Sequence, residues 1–281
     1  MIWIMFACSM SAPSTLVDEL RVMAIQTEPA EVSPMDPDAK LRLLISDPLA
    51  QGADIVYWTC TNFGDGCLEA EFYADSLSQW PQTFSREGLL TERSFSLPPA
   101  MAGVIATLPE DTIPFRGSIL WVLACKPNEC SFINDIQQDI IDTELMSAPT
   151  SILEDVPFGM ASLSFISIPI SNRSFEERIQ NPELSPLFDE IPMQAPEETL
   201  ELSFSYDLKA EANEDSLVYG YATLGGFPET DRTNAQLQEQ SGTFLLPWIA
   251  PQETGEGEIY IVLENGLGGT GIWFSEAEVR D

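Results

Sequence analysis

Along most of the chain apolar and polar residues alternate with a period of two, and the alternating stretches end at proline or glycine. In "TLELSFSYDL", Leu200, Leu202, Phe204, Tyr206 and Leu208 share one parity, and Glu201, Ser203, Ser205 and Asp207 the other. A strand shows successive side chains to opposite faces of a sheet, so this segment predicts one face on a core and one in water. "LRVMAIQTEP" and "KLRLLISDP" predict two more strands stopped by proline, the second setting Leu41, Leu43 and Ile45 against Arg42, Leu44 and Ser46. "DIVYWTC" and "GSILWVLAC" are apolar through their centres. Trp58 and Trp121 at their centres are expected to fill the gap between two sheets. In "MASLSFISIPIS" the apolar parity passes from Leu163 and Phe165 to Ile166, Ile168 and Ile170, which predicts a bulge near Phe165.

"CSFINDIQQDIIDTEL" has another period. It places Phe132, Ile133, Ile136, Ile140 and Ile141 on one helical face, with Asp135, Gln138 and Asp142 turned away. A short amphipathic helix packed on the adjacent sheet is expected there. Residues 172–198 carry Pro182, Pro186, Pro192 and Pro196 between two strand-rich regions and read as a linker. Beyond it, "SLVYGYATLGG" and "GTFLLPWIAP" predict strands. "EIYIVLENGLGGTGIWFSEAEV" predicts a hairpin, with Ile259, Ile261 and Leu263 running in and Ile272 and Phe274 running out.

The expected fold is therefore mainly β. It comprises two immunoglobulin-like β-sandwich domains, residues 21–171 with the inserted helix and residues 199–281, joined by 172–198. With 281 residues, 44% of them hydrophobic, the chain can bury two cores.

Charge narrows the partners. Against 12 basic residues stand 45 acidic ones, a formal net charge of -33. Such a surface repels nucleic acid and anionic headgroups. The charge is dispersed instead of forming an acidic tail, and solubility is its simplest role.

The start, "MIWIMFACSM", is apolar and uncharged. No later apolar run approaches the roughly 20 residues of a spanning helix. Residues 1–7 read as the end of a truncated export signal with Ala7 as the small residue before the cut. Cys8 then stands where a bacterial lipoprotein carries its diacylglycerol, and residues 8–20 form a tether. A buried edge strand bearing a free Cys8 is the competing reading, though strands usually alternate or end at a turn.

Five cysteines leave one over in an oxidising compartment, and Cys8 is that one. Cys60 and Cys67 enclose "TNFGDG", and Cys125 and Cys130 enclose "KPNE", two turn-rich intervals suited to local disulfides. A zinc site from the four is the alternative, but neither spacing is C-x2-C and the chain has no histidine. A bridge from Cys60 to Cys125 would join opposite ends of neighbouring antiparallel strands, roughly 20 Å apart, where a disulfide needs Cα atoms within about 7 Å.

Absent histidine also removes Ser-His-Asp and Cys-His catalysis. No nucleophile elbow, S-x-x-K or phosphate loop occurs. The expectation is a protein with no catalytic residues and no cofactor. Calcium is a candidate ligand for two acidic loops, one with Asp36 and Asp38, the other with Glu211, Asn213, Glu214 and Asp215. Neither follows the EF-hand order, so solvated loops are the expectation and no metal residue is assigned. Trp80, Trp248 and Tyr73 lie beside loop residues and are candidates for a sugar-binding face.

"TLVDELRVMAIQTEPAEVSP", the Asp47-Pro48 strand end, Trp58, Cys60 and "IQNPEL" resemble the surface lipoproteins of myxobacteria and related bacteria. "WIAPQETGEGEIYIVLENGLGGTGIWF" is similar to their C-terminal immunoglobulin-like module. The resemblance covers most of the chain. It implies a lipid anchor at Cys8 and a place in the bacterial envelope, as an outer-membrane lipoprotein facing periplasm or cell surface. It supplies no active-site residue. The function expected is a non-catalytic interaction or structural role with a protein or glycan partner; the alternative is a carbohydrate-binding or carbohydrate-active envelope protein.

Overall fold

The computed structural model describes residues 19–36, 38–47, 52–62, 67–76, 88–96, 106–107, 114–126, 161–227 and 234–280. The helix expected at 130–145 lies outside them, as do Cys8, Trp80 and Cys130. The chain is mainly β, and its described strands form two β-sandwiches.

In the first, β1 (Arg21–Glu28), β2 (Asp38–Ser46) and β5 (Gly88–Ser96) form one sheet in the order β1-β2-β5. The facing sheet runs β4 (Cys67–Ser76), β3 (Asp54–Asn62), β6 (Phe115–Cys125), β7 (Ala161–Ile170). All pairings are antiparallel. Leu41, Leu43 and Ile45 pack against Ile55, Leu120, Val122 and Ile168 to make the core, with the inward parity the sequence predicts for β2.

The second sandwich sets a sheet of β12 (Ser241–Ile249), β9 (Thr199–Asp207) and β8 (Glu183–Pro186) against a second sheet. That sheet runs β11 (Asn234–Gln236), β10 (Ser216–Ala222), β13 (Gly255–Asn265), β14 (Thr270–Val279). Leu202, Phe204, Tyr206 and Leu208 point inward from β9 as expected, and meet Val218, Ile259, Ile261 and Leu263.

Three local expectations change. Trp121 is half-buried on the outer face of its sheet, because Leu120, Val122 and Ala124 take the inward parity of β6. Trp248, expected at the surface, is fully buried in the second core and donates its indole N–H to Leu224 O at 3.0 Å. β7 carries no bulge at Phe165: its register with β6 runs unbroken from Ala161 to Ile168, and the irregularity falls between Phe115 and Ser118. Ile166, Ile168 and Ile170 face the core, so Leu163 and Phe165 are the apolar residues of the other face.

Residues 172–198 are an ordered strap. Arg173 grips buried Glu31 through both carboxylate oxygens, Nε to Oε1 at 3.2 Å and Nη2 to Oε2. Ser171 Oγ donates to the same carboxylate, and the Ile179 N–H donates to Oε2 at 2.7 Å. The chain then supplies β8 to the second sandwich, and Phe188 sets its ring edge-on to Phe204 and Trp273 at 5.5 and 5.6 Å. Gln194 finally pairs beside β14, its N–H donating to Glu278 O at 3.1 Å. Prolines end helices but are tolerated at strand edges and turns, so a proline-rich stretch can still be docked throughout.

The sandwiches meet face to face. Met23, Ala24 and Leu44, on the outer face of β1 and β2, bury against Tyr221, Tyr260 and Val262 on the outer face of β10 and β13. The Arg21 guanidinium lies 5.3 Å from the Tyr221 ring centre. Gln26 Nε2 donates to Thr270 O across the seam. Asn181 on the strap joins both sides, donating to Thr27 O at 2.8 Å and accepting from the Thr270 N–H at 3.0 Å.

Candidate functional site

The docking leaves a cleft of about 420 Å3 between β7 of the first sandwich and the β10, β13 and β14 sheet of the second. Phe165, Ile166 and Ser167 line one wall; Asp215, Leu217, Tyr219, Glu264 and the 266–270 turn line the other.

Asn265 fixes that turn. Its buried side-chain oxygen accepts from the Leu267 and Gly269 N–H groups, both at 2.9 Å, and its Nδ2 donates to Gln180 O at 3.1 Å and Leu208 O at 3.3 Å. Gly268 has a φ of +109°, and a Cβ there would come within 2.7 Å of Pro169 on the first sandwich. A side chain would strain the turn and push the walls apart.

On the first wall Phe165 is 56% exposed, and its ring centre lies 4.8 Å from that of Trp121. In the backbone register Trp121 pairs with Phe165. Trp121 and Phe165 thus lie side by side on the outer face of the β6–β7 ladder, with Phe165 at the cleft. On the second wall the Tyr219 hydroxyl donates to Glu264 Oε2 at 3.5 Å, and the Tyr219 and Tyr221 rings stack at 6.4 Å. Burial, then the Asp215 charge, raises the Glu264 carboxyl above the usual range, with the Tyr219 hydrogen bond opposing them. Burial is also the main cause raising Tyr219, followed by the Glu264 charge. Both groups resist becoming charged. The pair offers a hydroxyl and a carboxylate in an aromatic setting. It can hold a ligand by hydrogen bond or charge.

The residues expected to carry function fall elsewhere. Trp248 is core, Tyr73 pairs with Tyr57 in the β3–β4 ladder, and Trp80 lies outside the described residues. Asn213 serves the fold: its Nδ2 donates to Asn265 O at 3.0 Å and its Oδ1 accepts from the Asp215 N–H at 2.9 Å. Glu211 and Glu214 lie in the same loop; Asp36 closes a tight turn on Ser33, and Asp38 opens β2. Among the described residues no three His, Cys, Asp or Glu side chains gather as metal ligands.

Cys60 stands opposite Ala70, and Cys67 opposite Asn62. Cys125 is fully buried at the end of β6. No described helix is long and apolar enough to cross a membrane.

No protein-family model matches the chain, and no curated protein matches it in sequence. Among solved structures, red sea bream transglutaminase is similar at 10% identity and a TM-score of 0.28, over 94% of this chain and 32% of that one. Trypsin-activated alpha-2-macroglobulin from Escherichia coli is similar at 12% identity and 0.28, over 92% of this chain and 18% of that one. The calcium-binding domain CBD12 of CALX1.1 is similar at 10% identity and 0.21, over 85% and 80%. This chain thus spans a third or less of the first two proteins. Likeness at these scores says nothing of activity, ligand or partner.

Phe165, Tyr219 and Glu264 escaped the sequence reading. Two signals point to them. Phe165 pairs with Trp121 on β6, an apolar strand whose parity is unmarked, and Tyr219 and Tyr221 alternate with the small inward residues Val218, Gly220 and Ala222.

Proposed function

We propose that this chain is a lipid-anchored, non-catalytic protein of a bacterial envelope, which binds a partner through the cleft between its sandwiches. The observation that carries the binding role is a cleft whose walls come from different sandwiches and are fixed by the seam and the Asn265 turn. Residues held by a packed scaffold present a preformed surface with little ordering cost. The envelope assignment rests on the apolar start and Cys8. In that oxidising setting Cys60–Cys67 and Cys125–Cys130 act as local staples, read out by mass spectrometry of unreduced peptides.

Metabolic labelling with palmitate tests the anchor. Incorporation lost in Cys8→Ala supports it, and unchanged incorporation refutes it. Crosslinking on intact cells, followed by capture of the chain, tests the binding role: a partner crosslinked near the cleft is expected, and crosslinks confined to other faces contradict it.

A carbohydrate ligand is the second reading, favoured by the tilted Trp121–Phe165 ring pair beside the cleft. Sugars stack their apolar faces on such rings. A glycan array separates the two readings.

A further inference from the structure

Resting on the binding role just proposed, we infer that the cleft receives the ammonium group of a lysine side chain on a peptide partner. The first reason is charge. Glu264 brings a carboxylate to the wall, with the Tyr219 hydroxyl donating to Oε2 at the long distance of 3.5 Å, and Asp215 adds a like charge. None of the described residues lining the cleft is basic. Burial already disfavours the ionised form of Glu264, and a neutral ligand that closed the cleft would add to that penalty by excluding water without supplying a counter-charge. An ammonium removes that penalty.

The second reason is the rest of the lining. Phe165 and Leu217 offer apolar surface to a four-carbon stem, and the aromatic side chains Phe165 and Tyr219 in the lining suit a cation. The space, about 420 Å3, lies in the range of small-ligand sites and holds one such side chain with its flanking backbone. Because Oε2 already accepts from Tyr219, Glu264 presents one unshared oxygen, which suits a compact point donor better than the planar fork of arginine. The net charge of -33 steers basic partners toward the surface.

The test is calorimetric titration of the full chain with acetyl-Gly-Lys-Gly-amide at fixed ionic strength, beside the same peptide with norleucine for lysine and beside a neutral trisaccharide, cellotriose. Saturable binding of the lysine peptide is expected, at least tenfold weaker with norleucine. Glu264→Gln should weaken the lysine peptide about tenfold or more, the scale of one charge-assisted hydrogen bond. Phe165→Ala should weaken it severalfold. Neither variant should melt at a lower temperature than the parent, since Phe165 is exposed and Glu264 resists ionisation. Equal binding of the two peptides, or affinity unchanged in Glu264→Gln, overturns the inference. So does cellotriose saturating the cleft where the lysine peptide does not, which gives the cleft to a sugar. Any of these with a partner still crosslinked near the cleft on cells removes the lysine assignment alone; no crosslink near the cleft removes the binding role beneath it.

Discussion

The two sheets of the second sandwich share one core and differ in what lies outside it. On the β12-β9-β8 sheet the outer positions of β9 are Glu201, Ser203 and Ser205, and their neighbours are exposed Leu245 and half-buried Pro247. On the β11-β10-β13-β14 sheet the outer positions Tyr221, Tyr260 and Val262 are buried by the first sandwich. β9 therefore alternates, whereas β13 runs "IYIVL" with both parities apolar. A strand covered on both faces loses its alternation, and here the lost alternation marks where two domains become one body.

A buried charge breaks this comparison most forcefully. Leu44→Asp places a carboxylate in the seam, where Leu44 is fully buried, and should cost about 4 kcal/mol by denaturant unfolding. Leu245→Asp, on the solvated sheet at 60% exposure, should stay within about 0.5 kcal/mol. Similar losses from the two would mean that the seam is not closed.

Next comes the strap. Glu31→Ala leaves Arg173 and the Ile179 N–H without their buried acceptor and should cost about 3 kcal/mol. The same loss should open residues 172–181 to protease, while intact protein resists cleavage there. Rapid cutting of the intact protein would restore the linker reading. Asn265→Ala should cost about 2 kcal/mol, because two turn N–H groups and two carbonyls lose their partner. It should also weaken ligand binding, since the turn forms a wall of the cleft.

The smallest effect concerns Glu264. Burial raises its folded value above that of an unfolded glutamate, so the folded state holds the proton more tightly. Stability should then fall as pH rises from the unfolded value through the folded one, and the ionised side chain is a liability above that window. Glu264→Gln should match the parent in acid below the window and be at least as stable at pH 7. A variant weaker at pH 7 would show that the carboxylate is already compensated.

How legible this was in the sequence depended on what covers each face. β9 could be oriented because its outer face meets water and is written in Glu and Ser. β6 could not: "SILWVLAC" is apolar on both parities, so nothing in the sequence tells whether Trp121 or Leu120 faces the core. Trp248 misled for a related reason, since Pro247 and Pro251 nearby suggest a loop while Leu246 and Ala250 set an inward parity. The Glu31–Arg173 pair joins residues 142 apart, and no local pattern records it. The cleft needed both sandwiches to be docked before Phe165 and Glu264 could share a lining. The prolines of 172–198 hid a strap because they mark where a helix cannot form, and not whether the chain is bound to its neighbours.

Differential scanning calorimetry tests most directly whether the two sandwiches form one body. With the seam and the strap linking both cores, unfolding should give one transition whose calorimetric and van't Hoff enthalpies agree. Leu44→Asp should split it into two, one for each sandwich. Two separable transitions in the unaltered protein would contradict the account, for the sandwiches would then unfold independently and the cleft would have no fixed walls.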